Sequence, residues 1–112
     1  MADTFKTKLG TTRAGERSRI WIEGARLIAH GFVPKRLFLK SWFEEEGRLV
    51  LTLMTAREAS TYRAASIGTV SGKEGAKPII DITGELVRTT FGTGTHGNVK
   101  YAPGRITITR EA

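Results

Sequence analysis

The stretch from Pro78 to Thr109, PIIDITGELVRTTFGTGTHGNVKYAPGRITIT, decides how the rest of the chain is read. Ile79-Ile80-Asp81-Ile82 is a short aliphatic run that predicts a strand. Thr83 or Gly84 caps a short helix over Glu85 to Thr90, with Leu86 and Val87 inward and Glu85 beside the positive helix end. Phe91 closes that helix, and Gly92 to Gly97 form a turn-rich loop. Asn98 to Ala102 alternates, with Val99 and Tyr101 on one face. Pro103-Gly104 is a tight turn, and Arg105 to Arg110 returns as the last strand with Ile106 and Ile108 inward.

Working backwards, Arg19 to Leu53 passes through the same features in the same order. Ile20 and Ile22 alternate with Arg19, Trp21 and Glu23, a strand signal that Gly24 ends. Ala25 to His30 is a short helix-like turn with Gly31 as its C-cap and Phe32 folding back onto the core. Leu37 to Phe43 predicts a strand with Phe38, Lys40 and Trp42 on one face and Leu37, Leu39 and Ser41 on the other. Glu44 to Gly47 is an acidic turn, and Arg48 to Met54 is the returning strand, with Leu49, Leu51 and Leu53, or the set of Val50, inward. IEGARLIAHGF from Ile22 aligns with ITGELVRTTFG from Ile82, and Gly47-Arg48-Leu49-Val50-Leu51 aligns with Gly104-Arg105-Ile106-Thr107-Ile108. Gly84 follows Gly24 by 60 residues and Gly104 follows Gly47 by 57, so the halves differ by small length changes. The expected organisation is a flexible basic arm over 1–18, then a single domain over 19–112: a repeat over 19–54, a connector over 55–77 and a second repeat over 78–110.

The connector is open to two readings. Ala56, Ala59, Tyr62 and Ala65 recur at helical spacing, while Tyr62 to Val70 also reads as a strand. SGKEGAK, residues 71–77, is an open loop. The arm, with Lys6, Lys8, Arg13 and Arg17, is either a disordered terminus or a tail lying on phosphates.

This order of strand, short helix, Gly-Phe or Phe-Gly turn, strand, turn and Gly-Arg-aliphatic-x-aliphatic resembles the AbrB/MazE/SpoVT superfamily of swapped-hairpin β-barrels, its SymE-like branch above all. The resemblance implies that each half of the chain is half a barrel and that the halves interlace their hairpins. It implies a mainly β barrel of two tandem strand-helix-hairpin repeats with short helices, and a basic face that holds a nucleic-acid backbone. The sequence departs from the family pattern at Lys35-Arg36, where the first module would carry its second turn glycine. Similar paired modules look like segments of phage and mobile-element proteins.

Composition bounds the function. The 112 residues suffice for one core, whereas two half-size modules would each bury little alone. A net charge of +7 and a pI near 10.3 point to polyanions, nucleic acid first. The absence of cysteine excludes disulfides, thiol catalysis and Cys-ligated zinc and suits a reducing cytoplasm. No apolar run reaches the roughly 20 residues of a membrane span, and the N-terminus lacks a signal-peptide apolar region. The expected protein is cytoplasmic, a monomer or homodimer, without a membrane partner.

No catalytic, cofactor or metal site is expected. Gly92, Gly94 and Gly97 have dinucleotide-binding spacing, but that motif needs a strand before it and a helix after it. Here the order is reversed, and the glycines serve a turn. His30 and His96 are the only histidines and lack nearby carboxylates at ligand spacing. Asp81 and Glu23 read as partners of strand-edge arginines, and Glu44 to Glu46 as a solvated hairpin tip.

The candidate nucleic-acid-binding residues are Arg13, Arg17, Arg19, Lys35, Arg36, Lys73, Lys77, Arg48 and Arg105. Arg13, Arg17 and Arg19 lead into the first module and Lys73 and Lys77 into the second. A two-fold relation between the modules is expected to bring these segments together on one face. Trp21, Trp42 and Tyr101 are candidates for stacking on unpaired bases. Trp42 and Tyr101 read as core, while Trp21 reads equally as core or platform. The leading expectation is a non-enzymatic nucleic-acid-binding protein, DNA ahead of RNA, of a phage or mobile-element regulator. The alternatives are a small phage-type inhibitor that binds a host defence protein complex and a SymE-like RNA-directed toxin in a toxin–antitoxin setting.

Overall fold

The computed structural model describes residues 3–11, 18–73, 77–92 and 96–110, with the backbone alone for 3–11, 18 and 96. The chain is mainly β. Its strands are β1 (Asp3–Thr11), β2 (Ser18–Glu23), β3 (Leu37–Phe43), β4 (Arg48–Met54), β5 (Ile67–Thr69), β6 (Ile79–Thr83), β7 (His96–Ala102) and β8 (Arg105–Arg110). Three short helices interrupt them: α1 (Ala25–Ala29), α2 (Ala56–Ala59) and α3 (Glu85–Phe91). The radius of gyration, 13.3 Å, is that of a chain this long folded as one body. No helix among the described residues is long and apolar enough to cross a membrane.

All pairings are antiparallel and run in the order β5-β3-β4-β8-β7-β1-β2-β6. The terminal strands β5 and β6 form no ladder with each other, so the named strands do not close into the expected barrel. One reciprocal backbone pair links their neighbourhood: Ser71 N–H donates to the Ile79 carbonyl at 2.8 Å and Ile79 N–H to the Ser71 carbonyl at 3.0 Å.

The expected flexible arm is corrected over residues 3–11, while 1–2 and 12–17 lie outside the described residues. Asp3–Thr11 is a strand that pairs with β7 from Asp3 to Lys8 and then with β2 from Leu9 to Thr11. Its alternation of Thr and Lys with Phe5 and Leu9 is a weak strand pattern that the Lys content hides. Phe5 is in backbone register with Val99 and Leu9 with Ile20, and Val99 and Ile20 are buried.

The connector takes up both readings in turn. Helix α2 is only four residues long and is held by a capping box. Glu58 N–H donates to Thr55 Oγ1 at 3.2 Å, and Thr55 N–H donates to Glu58 Oε1 at 3.0 Å. After a 3₁₀ turn over Ala64–Ser66 the chain becomes β5, which lies against β3.

Alternation places the core. Ile20 and Ile22 of β2, Leu49 and Leu51 of β4 and Ile80 and Ile82 of β6 are all buried, as are Ile106 and Ile108 of β8. Leu27 of α1 and Val87 and Phe91 of α3 enter this core, next to Phe32. Trp42 packs against it and Tyr101 is 1% exposed, so both belong to the core. Trp21 stands on the other face of β2, 38% exposed. Lys40 shares the core-side face of β3 with Phe38 and Trp42, and partial burial lowers its ammonium pKa.

Among the described residues two buried side-chain atoms, Arg48 Nε and Thr90 Oγ1, have no hydrogen-bond partner. The Thr90 hydroxyl of α3 is fully buried without a hydrogen bond. Replacing Thr90 by Val removes an orphan hydroxyl at nearly constant volume. Urea unfolding of T90V is expected to show a gain of about 1 kcal/mol.

Candidate nucleic-acid interface

Four of the nine candidate cations come together where the segment after α1 meets the segment joining β5 to β6. Lys35 N–H donates to the Val70 carbonyl at 2.8 Å, and Val70 N–H donates to the Arg36 carbonyl at 2.9 Å. These bonds hold Lys35-Arg36 beside the strand that leads into Lys73. Gly72 closes the group. It has φ 122°, and a Cβ there would sit 3.0 Å from the Lys77 carbonyl oxygen and 3.4 Å from Pro34 Cγ. Gly24 N–H then donates to the Pro78 carbonyl at 3.3 Å, fixing Lys77 at the start of α1. Lys35, Arg36, Lys73 and Lys77 are all exposed. Among the described residues, none of the four is within ion-pair distance of a carboxylate.

Lys35 is the one non-glycine among the described residues with positive φ, at 75°. That conformation costs a non-glycine residue on the order of 1–2 kcal/mol. It stands where the sequence lacks the expected turn glycine. A lysine kept at a glycine-favouring position is the kind of local strain that clusters at functional sites.

The remaining candidates separate. Arg19 is engaged by Asp81 in a bidentate pair, Nε to Oδ1 and Nη2 to Oδ2, both 2.8 Å. Arg48 pairs with Glu46 and lies 4.7 Å from the Phe43 ring centroid. Arg105 is exposed at the β7–β8 turn, in register with Thr52 and so two strands away from β3. Arg13 and Arg17 lie outside the described residues.

The expectation that the segments leading into β2 and β6 meet on one face is corrected by the register. Arg19 pairs with Thr83 and Glu23 with Ile79. The start of β2 therefore lies at the end of β6, and Lys77 lies at the end of β2. Four residues of strand, about 13 Å, separate Arg19 from the level of Ile79. Of the candidate cations on described residues, only Lys35, Arg36, Lys73 and Lys77 form the corner.

Between that corner and Arg19 runs the outer face of β2 and β6, with Trp21 in register with Asp81. The Arg19 guanidinium lies 4.6 Å from the Trp21 ring centroid. Its hydrogen bonds and charge hold the Asp81 carboxyl below its ordinary value of 3.8, and the carboxylate in turn raises the Arg19 pKa. A carboxyl depressed in the folded state stabilises the fold above its unfolded pKa, and that contribution is lost as pH falls through the folded value. Stability is therefore expected to fall below about pH 4, and D81N is expected to flatten that acid slope in denaturant titrations. The pairing was within reach of the sequence: antiparallel strands matched at Trp21 and Asp81 set Arg19 diagonal to Asp81, the geometry of a cross-strand ion pair.

His30 donates from Nδ1 to the Arg26 carbonyl oxygen at 2.8 Å, and its ring lies 5.2 Å from that of Tyr101, whose burial pushes its hydroxyl pKa up to about 12. His96 has only its backbone described. Among the described residues no three metal-ligating side chains converge. Of the Gly92–Gly97 loop, Gly92 has φ 63° after α3 and Gly97 lies within β7, while 93–95 lie outside the described residues. Phe43 and Glu44–Glu46 line a shallow hollow at the β3–β4 tip.

Fold and surface together define a small mainly β protein with an exposed corner of four cations and an adjoining arginine–tryptophan stack. No family model, curated protein or solved structure matches the chain.

Proposed function

We propose that the protein is a non-enzymatic nucleic-acid-binding protein that holds the phosphate backbone with Lys35, Arg36, Lys73 and Lys77. The observation that carries this reading is the convergence of four exposed cations, none paired to a carboxylate among the described residues, in a chain of net charge +7. Such a group attracts polyanions at long range and releases counterions on contact. Contacts of this class position a strand without reading its sequence. Fluorescence anisotropy with a labelled oligonucleotide across a salt series tests it. Binding at low salt that weakens steeply as salt rises is expected; no binding at low salt contradicts the reading.

We also infer that the chain is a tandem duplication arranged as the AbrB-like resemblance implies, with the two halves interlacing their hairpins. Four features support this. Ile20 pairs with Ile82 and Ile22 with Ile80, so the offset of 60 turns the β2–β6 register into itself. Leu49 pairs with Ile108 and Leu51 with Ile106, so the offset of 57 does the same for β4–β8. Each helix contacts the hairpin of the other half: Gly104 N–H, at the β7–β8 turn, donates to the His30 carbonyl after α1 at 2.9 Å, and α3 lies against Glu44–Glu46. Gly24 and Gly84 share one backbone conformation, φ 114° and ψ −172° against φ 122° and ψ 180°.

The last pair gives a test of equivalence. A Cβ at either glycine meets nothing within 4 Å, so the cost of G24A or G84A is backbone strain alone. Each is expected to destabilise by about 1–3 kcal/mol, and the two by the same amount in chemical unfolding. A neutral result at one site and a large cost at the other argues against the duplication.

A further inference from the structure

We propose that the outer face of β2 and β6 takes an unpaired base on the stack made by Trp21 and Arg19, so that the ligand of the basic corner is single-stranded nucleic acid. This rests on the phosphate-binding reading above and deepens it. Trp21 is 38% exposed in the middle of β2, on the face opposite the buried Ile20 and Ile22. The Arg19 guanidinium lies over its ring, 4.6 Å from the centroid. Asp81 takes hydrogen bonds from Nε and Nη2, which lie on the edge of the guanidinium plane. A bidentate fork of this kind fixes the plane by its edge, so that one face lies on Trp21 and the other is not used by the fork.

The charge balance decides what the platform accepts. Asp81 neutralises Arg19, so the stack carries no net charge and offers little to a phosphate. A planar guanidinium held over an indole is instead a surface on which a base stacks, since unpaired bases stack on aromatic rings and on arginine planes alike. In a duplex the base faces are covered by their neighbours, so only an unpaired base reaches this surface. The placement fits a strand that runs from one site to the other. Asp81, in register with Trp21, is four residues from Lys77, which lies two residues before β6, so an extended chain spans about 13 Å between them. Phosphates of one extended strand on Lys77 and its neighbours leave a base a few nucleotides away within reach of Trp21. Arg19 thereby becomes part of the stacking surface and leaves the set of phosphate ligands.

The test compares a short poly-dT strand with a duplex of the same length, using wild type, W21A and D81N, each first checked for folding by circular dichroism. Wild type is expected to bind the single strand about tenfold tighter than the duplex, with quenching of Trp21 fluorescence; the other tryptophan, Trp42, packs against the core. W21A is expected to lose about five- to thirtyfold on the single strand, to leave duplex binding unchanged, and to keep the salt dependence of wild type. D81N frees the guanidinium and is expected to reduce the quench. Equal affinity for both forms, with W21A silent on each, overturns the platform and leaves the basic corner standing. No binding of either form by wild type overturns both. A W21A variant that weakens duplex and single strand alike also overturns the platform.

Discussion

Removing the four cations of the corner together, as K35G, R36A, K73A and K77A, is expected to weaken nucleic-acid binding by on the order of 10²–10⁴-fold at low salt. The size follows from counterion release. Each phosphate contact contributes roughly one power of salt concentration to the binding constant, so four contacts dominate when salt is scarce and fade when it is plentiful. Glycine is chosen at position 35 because Lys35 has φ 75°, which alanine would strain equally and glycine adopts freely. The quadruple variant should therefore fold at least as well as wild type, and thermal unfolding checks this. The carriers of the effect are side chains exposed on loops and strand ends, so loss of binding without loss of stability is the expected signature. R19A is the control: its guanidinium is engaged by Asp81, so its effect should fall on single-strand stacking and leave the salt dependence unchanged.

The largest stability effect is expected at Gly68. This residue of β5 stands in register with Phe38 of β3. A Cβ on Gly68 would lie 2.3 Å from Phe38 Cζ and 2.4 Å from Cε1. The ring has no way out: Phe38 is 2% exposed and sits 6.3 Å from the Phe32 ring in the core. G68A therefore either strains the core or lifts β5 off β3, at a cost of about 3 kcal/mol or more. Chemical unfolding reads this directly. Shrinking the ring should restore much of the loss, so the double variant G68A/F38L is expected to be more stable than the sum of its parts. The consequence reaches the surface, because β5 runs directly into Val70, whose backbone holds Lys35 and Arg36. G68A should thus lower binding as well as stability, and a stable, fully binding G68A would contradict the packing described here.

Much of the fold was legible because the strong strands carry clean alternation. Leu37–Phe43, Arg48–Met54 and Arg105–Arg110 fall where their period and their bounding turns put them. The N-terminal strand was not legible. Its Thr-Lys alternation carries few apolar residues, and its pairing with β7 and β2 comes from parts of the chain distant in sequence. The connector was ambiguous for a physical reason: a four-residue helix and a three-residue strand are each too short to impose a period. Closure of the strands into a barrel could not be read at all, since it depends on how far β5 extends beside β6.

The candidate site was legible as a list of cations and opaque as an arrangement. Lys35, Arg36, Lys73 and Lys77 are drawn together by backbone bonds between segments more than thirty positions apart, which no local pattern encodes. Arg19 and Arg48 looked like the others in sequence, yet Asp81 engages Arg19 once the strands pair, and Glu46 engages Arg48 within the β3–β4 turn. Trp21 could be assigned only after the register set Ile20 and Ile22 inward.

The salt dependence of binding by wild type and by the quadruple corner variant, measured on one oligonucleotide, reports whether the corner holds phosphates. The slope of log affinity against log salt is expected to be shallower in the variant by about 3–4. Parallel slopes for the two proteins would contradict that reading, since the four cations would then make no phosphate contact.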